Sequence, residues 1–256
     1  MINGISMAYT DKGQGVPLVF VHGFPLSRGC WRPQIDSLSN MCRTIAPDLR
    51  GFGATGATSG TTTIDQFADD IAALLGELDT GPAVLVGHSM GGYVALAFAR
   101  RHADLLRGLV LVATRAGQDS PEAAAGRRAT AEKVRAEGTR VVVEAMAPKM
   151  LAPGNGDADI EAAVQGFMEP SSRDGVIGAL LGMAERPDST PLLGQIEVPT
   201  LVVTGADDLV IDPAESQTMA QAIPGSQLHV IPDAGHLVAY EQAEAFNAIL
   251  RDWIEQ

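Results

Sequence analysis

Ser89, Asp208 and His236 are the residues of this chain whose types could together turn a weak nucleophile into an active one. A serine hydroxyl attacks a carbonyl only when it is exposed, positioned and served by a base. The run Gly87-His88-Ser89-Met90-Gly91-Gly92 meets the first two needs: an apolar stretch at 83–86 leads into it and a helical pattern at 93–99 follows. A strand that turns sharply into a helix puts serine at an exposed apex, and flanking glycines relieve the crowding there. The helix start beneath it adds unpaired N–H groups where negative charge develops.

Five histidines are candidates for the base. His236, in Pro232-Asp233-Ala234-Gly235-His236, follows the last predicted strand, on the edge where open α/β sheets hold their ligands. His22 and His88 flank glycine turns and read as braces. His102 closes a helix, where it suits the C-terminal dipole, and His229 lies within a strand. A third group must orient the base, and the strand at 200–204 ends in Gly205-Ala206-Asp207-Asp208. The chain order Ser, Asp, His is the one expected for this elbow; Asp208 is preferred and Asp207 remains the alternative. Two backbone donors should meet the oxyanion: Met90 N–H, after the nucleophile, and Phe24 N–H, in His22-Gly23-Phe24-Pro25, where the proline has none to give.

The elements that must position these residues are legible as alternating runs. Val/Leu/Ile-rich stretches at 18–22, 43–47, 83–88, 108–113, 199–204 and 227–231 suit strands buried on both faces. Helical stripes occupy 63–78 (Ile64, Phe67, Ile71, Leu74, Leu75, Leu78), 92–102 and 241–254 (Phe246, Ile249, Leu250, Trp253). The expected fold is α/β, with a mostly parallel central sheet flanked by helices. Between 115 and 190 the alternation stops. Ser120 caps a helix that Gly138 ends; 139–151 reads as a second despite Pro148; Asp159 opens a third and Ser172 a fourth. The loop Pro153-Gly154-Asn155-Gly156 separates the pairs. The expected division is a core of 1–114 and 191–256 with a helical cap at 115–190.

The 256 residues are 46% hydrophobic and 19% charged, the composition of an ordinary globular protein. A net charge of −13 argues against nucleic acid or an anionic membrane as partner. No apolar run is long enough to span a bilayer, and Met1-Ile2-Asn3-Gly4-Ile5 has no signal-peptide pattern. Cys30 and Cys42 lack metal-ligand spacing and read as reduced thiols of a cytoplasmic protein, with a disulfide as the alternative; a monomer or small homo-oligomer is the default expectation.

Five motifs stand in the order and spacing of the α/β-hydrolase family, which the chain resembles over nearly its whole length. They are His22-Gly23-Phe24, Asp48-Leu49-Arg50-Gly51-Phe52-Gly53, the elbow at 87–92, the acid turn at 205–208 and Gly235-His236. The family's G-x-x-D acid falls on Asp208, while Ile211-Asp212-Pro213 brings its proline one residue late. Asp48 and Arg50 fall in a loop that the family keeps for structure. Ser89 sets aside the haloalkane dehalogenases and epoxide hydrolases, which use aspartate at this position. The chain is similar to bacterial carboxylesterases, cofactor-free haloperoxidase/perhydrolase-like proteins and oxoadipate enol-lactonases. That resemblance implies cleavage of small-to-medium carboxylic esters through an acyl-enzyme, with no metal or organic cofactor. A lactonase or a carbon–carbon bond hydrolase with the same triad, and a non-catalytic small-molecule receptor on the same fold, are the alternatives. Trp31, Met146, Met150, Phe167 and Leu180 are the expected apolar pocket. Arg115 is read as the partner of a surface acid, with a substrate carboxylate, as an enol-lactonase would require, as the other reading.

Overall fold

The computed structural model describes residues 1–155, 157–169 and 171–256. Among them, seven strands form one sheet: β1 (Tyr9–Lys12), β2 (Pro17–Val21), β3 (Arg43–Pro47), β4 (Ala83–His88), β5 (Leu106–Val112), β6 (Thr200–Gly205) and β7 (Gln227–Ile231). Their order across the sheet is β1-β3-β2-β4-β5-β6-β7, parallel except for β1, which runs antiparallel to β3. The helices, in chain order, are α1 (Arg32–Leu38), α2 (Ile64–Glu77), α3 (Met90–Arg101), α4 (Pro121–Glu137), α5 (Arg140–Met146), α6 (Ala158–Met168), α7 (Arg173–Glu185), α8 (Thr190–Leu193), α9 (Pro213–Ala222), α10 (Val238–Glu241) and α11 (Ala243–Ile254).

Strand alternation divides the interior in two. Val19, Val21, Leu85, Leu109 and Leu111 face one apolar cluster, completed by α2 and α3; Leu18, Phe20, Val86, Val110 and Val112 face a second, completed by α1 and α11. Both faces being covered, β2, β4 and β6 are buried along their whole length. The six apolar runs of the sequence are all strands. The seventh strand, β1, reads Tyr-Thr-Asp-Lys and is mostly exposed at the sheet edge, so no apolar run announces it.

Between β5 and β6 lie α4 to α8. Ser120 and Ser172 cap α4 and α7 as expected, accepting the N–H groups of Ala123 at 3.2 Å and Gly175 at 3.0 Å. The third helix begins earlier than Asp159, because Asp157 takes the capping role and accepts from Asp159 and Ile160. The single helix expected over 139–151 is two pieces: α5 ends at Met146, and a 3₁₀ turn, Ala147–Lys149, carries Pro148. Proline has no N–H to continue the helix and crowds the turn before it. The closing helix is α11, which begins two residues later than expected, with the short α10 before it. Gly156 of the expected loop lies outside the described residues. The first apolar cluster continues from the sheet through Ala131 and Val134 of α4 and Val176, Leu180 and Met183 of α7. The inserted helices therefore share the interior of the sheet rather than enclosing one of their own.

Among the described residues, no helix is long and apolar enough to cross a membrane. Cys30 and Cys42 are unpaired and buried. Arg50, beyond β3, makes two hydrogen bonds of 2.8 and 2.7 Å to Asp70 of α2, with both side chains almost wholly buried. Asp70→Ala would leave that guanidinium without its partner, so a loss of about 3–5 kcal/mol is expected in urea unfolding.

Candidate active site

The turn between β4 and α3 holds Ser89 at φ 52° and ψ −114°, a conformation that side-chain-bearing residues rarely adopt. Its neighbours hold it there. Ser89 N–H donates to Val112 at 2.9 Å, and its carbonyl accepts from Gly92 N–H at 2.9 Å and the Thr114 hydroxyl at 2.7 Å. A Cβ on Gly87 would strike the Gly91 carbonyl, and one on Gly91 would strike the Val21 carbonyl. Those two glycines let strand and helix cross at contact distance.

His236 lies beyond β7, with Nδ1 2.8 Å from Asp208 Oδ2 and both side chains buried. An ionised carboxylate only accepts, so Nδ1 carries the proton and Nε2 the lone pair. Burial pushes the Asp208 carboxyl up, but the His236 bond, with N–H groups from Ile211 and Val210, outweighs it and holds the group below the usual range. Those N–H groups reach Asp208 Oδ1 at 3.0 and 2.7 Å. The late proline thus has a structural use: residues 209–211 wrap the carboxylate before Asp212 caps α9 by accepting Ala214 N–H at 2.9 Å. Asp207 is exposed and contributes only its backbone N–H, to Ala234 at 2.9 Å. Of the two candidate acids, Asp208 is the one in contact with His236.

His236 Nε2 is buried with no hydrogen-bond partner among the described residues. His88, next to Ser89, packs its ring 4.7 Å from that of His236 and donates from Nε2 to the His236 carbonyl at 2.9 Å. Burial, reinforced by His236, lowers its pKa to about 3. His22 donates from Nδ1 to Gly23 and accepts Leu49 N–H at Nε2, both at 2.9 Å, and burial lowers its pKa as well. Both histidines are neutral braces, as their positions suggest. Asp48 is a brace too, pairing with Arg28 and accepting Ala54 N–H at 2.8 Å. Glu241 of α10 joins the His236 loop to the inserted segment, accepting from Gly235 at 2.6 Å and Ala152 at 2.9 Å.

Met90 opens α3, so its N–H is one of the helix's unpaired donors. Phe24 N–H also makes no backbone bond among the described residues, and Phe24 lines a cavity of about 360 Å³ together with Ser89. Met146 and Leu180 line this cavity as expected, along with Tyr93, Met183, Val210 and Ile211. Trp31, Met150 and Phe167 do not. Trp31 and Met150 are buried in the second apolar cluster, where Trp31 packs on Phe20 at 5.2 Å, and Phe167 meets Tyr240 edge-on at 5.0 Å. Their bulk glues α6 and the 3₁₀ turn Arg28–Trp31 to the other side of the interior. Arg115 also lines the cavity, and its acid is the buried Asp119, at 2.6 Å, rather than a surface group. Tyr93 was discoverable, since it stands four residues after Ser89 on a helix. Arg127 was not, because α4 reads as a polar helix.

A mostly parallel sheet with a serine elbow after its central strand, and a histidine bonded to a carboxylate beyond its later strands, defines a hydrolase-type α/β protein. The chain belongs to the alpha/beta hydrolase fold family, whose model matches residues 16–243. The malate-bound structure of a thermophilic esterase from Thermogutta terrifontis is similar at a TM-score of 0.96 and 45% identity, covering 98% of this chain and 93% of that one. A 3-oxoadipate enol-lactonase of Acinetobacter baylyi is 30% identical over 251 residues, 95% of this chain and 91% of that protein. A non-heme chloroperoxidase of Kitasatospora aureofaciens is 30% identical over 277 residues, 99% of this chain and 98% of that protein.

The lowered pKa of His88 has a stability consequence. Between about 3 and its unfolded value of 6.5, the unfolded chain binds a proton that the native state does not. Stability therefore falls as pH drops below 6.5, with about 2 kcal/mol from His88 lost at pH 5. Urea midpoints at pH 5 and pH 7.5 should diverge in the parent and converge in His88→Gln, with the remainder left to His22.

Proposed function

We propose that this protein is a serine hydrolase of small-to-medium carboxylic esters, with Ser89 as nucleophile, His236 as general base and acid, and Asp208 as its orienting group. The observation that carries the reading is the buried 2.8 Å Asp208–His236 bond, which fixes the proton on Nδ1 and leaves Nε2 unpartnered beside the elbow. In the first half-reaction, Ser89 Oγ adds to the ester carbonyl carbon while its proton passes to His236 Nε2. The Phe24 and Met90 N–H groups meet the resulting oxyanion. The carbon–oxygen bond to the alcohol then breaks, and Nε2 returns the proton to that leaving oxygen. Water repeats the sequence on the acyl-serine: its proton passes to Nε2, its oxygen joins the acyl carbon, and Ser89 Oγ departs and recovers the proton. The products are one acid and one alcohol.

Asp208 steadies the imidazolium that forms at each step without itself taking a proton. Met146 and Leu180, with Met183 and Tyr93, are the proposed walls for the substrate chain, in a volume at the small end of ligand sites. In this reading residues 115–190 act as the specificity cap, and the unpaired cysteines suit a reducing compartment such as the cytoplasm. The enol-lactonase relative favours a second reading, in which the same residues open a lactone.

A series of p-nitrophenyl esters from acetate to laurate should show turnover with an optimum among the shorter chains. Ser89→Ala should lower kcat/KM by about ten-thousandfold or more with an unchanged melting curve. Turnover that survives in Ser89→Ala would overturn the assignment, and activity confined to lactones would move it to the second reading.

A further inference from the structure

We propose that the cavity is built for esters that carry a carboxylate, held by Arg115 and Arg127; the proposal rests on the reading of Ser89 as an ester-cleaving nucleophile. Three guanidinium groups converge on one buried acid. Asp119 accepts from Arg115 Nη2 at 2.6 Å and Arg186 Nη2 at 3.2 Å, and pairs with Arg127 through Nε. One negative charge against three positive ones leaves the cluster cationic.

The three arginines are not equivalent. Arg186 is spent within the fold: its side chain is only 3% exposed, and its guanidinium lies 4.0 Å over the Tyr93 ring. Arg115 and Arg127 are each about a quarter exposed and line the same cavity as Ser89. Among the described residues, both terminal nitrogens of Arg127 have no acceptor, and no aspartate or glutamate lines the cavity. Arg115 is also tied to the elbow by the chain itself, because it follows Thr114, whose hydroxyl bonds the Ser89 carbonyl.

An excess of positive charge in a half-buried site is unfavourable until an anion shares it. A planar carboxylate presents two oxygens to the edge of a guanidinium and gains charge-assisted hydrogen bonds there. Met146, Leu180 and Met183 supply apolar contact for a short chain joining that carboxylate to the reacting carbonyl. The fitting substrate is therefore a half-ester or another ester with one free acid group.

The test uses ester pairs of matched length that differ only in the terminal charge: ethyl hydrogen adipate with ethyl hexanoate, and acetoxybutanoate with butyl acetate. In at least one pair, kcat/KM for the charged member should exceed that for the neutral one by about tenfold or more. Arg127→Gln should lower that ratio by a similar factor, mainly through KM, and Arg127→Lys should restore part of it. In parallel, calorimetric titration of Ser89→Ala with ethyl hydrogen adipate and with the neutral ethyl hexanoate reads the cationic subsite without turnover. The half-ester should bind about tenfold more tightly, and raised salt should erase much of the difference. Turnover of all four esters with no charge preference would overturn the carboxylate proposal and leave the esterase reading standing. Half-ester-selective binding without turnover of any ester would uphold the subsite and sink the esterase reading.

Discussion

The backbone of Ser89 is the constraint on which the rest of the site depends. A side-chain-bearing residue at φ 52° and ψ −114° costs about 1–3 kcal/mol and persists only where its surroundings over-determine it. Here they come from three strands. β4 delivers the residue, β5 accepts its N–H through Val112, and β2 packs its last carbonyl against Gly91. Thr114 fixes the Ser89 carbonyl from the far side. A parallel sheet places all of these chain ends on one edge, so the strain is held by the most buried part of the molecule and the hydroxyl is held at the cavity.

A row of buried polar groups extends from that edge. His22 ties the loop after β2 to the loop after β3, His88 ties the elbow to the His236 backbone, and Asp208 holds the His236 ring. Burial in so dry a place keeps His22 and His88 neutral, which lets each act as a fixed donor or acceptor. Among the described residues His88 Nδ1 and His236 Nε2 both lack a partner, but the other nitrogen of His236 meets a carboxylate where that of His88 meets a backbone carbonyl. In the proposed mechanism that difference in partner sets His236 apart, as the base, from braces of identical chemistry.

How far the sequence disclosed this depended on what each residue had to do. Apolar strands covered on both faces were plain from composition, whereas β1 was hidden because an exposed edge needs no apolar side chains. The elbow, Asp208 and His236 sit on short turns whose glycines mark the chain, so their positions could be read directly. The pocket could not. Trp31, Met150 and Phe167 have the same apolar character as Met146 and Leu180, and only the packing of α6 and α11 decides that they fill the second cluster. Arg127 and Asp119 meet through the fold of the inserted helices, and nothing in the local pattern of a polar helix foretells that contact.

The central claim is that Ser89 is the nucleophile. The most direct measurement is intact mass and peptide mapping after treatment with a fluorophosphonate, which phosphonylates only an activated serine. The account predicts one phosphonyl group per chain, on the peptide that carries Ser89, and its loss when Asp208 is replaced by asparagine or His236 by alanine. A folded protein that takes no label, or takes it on another serine, would contradict it.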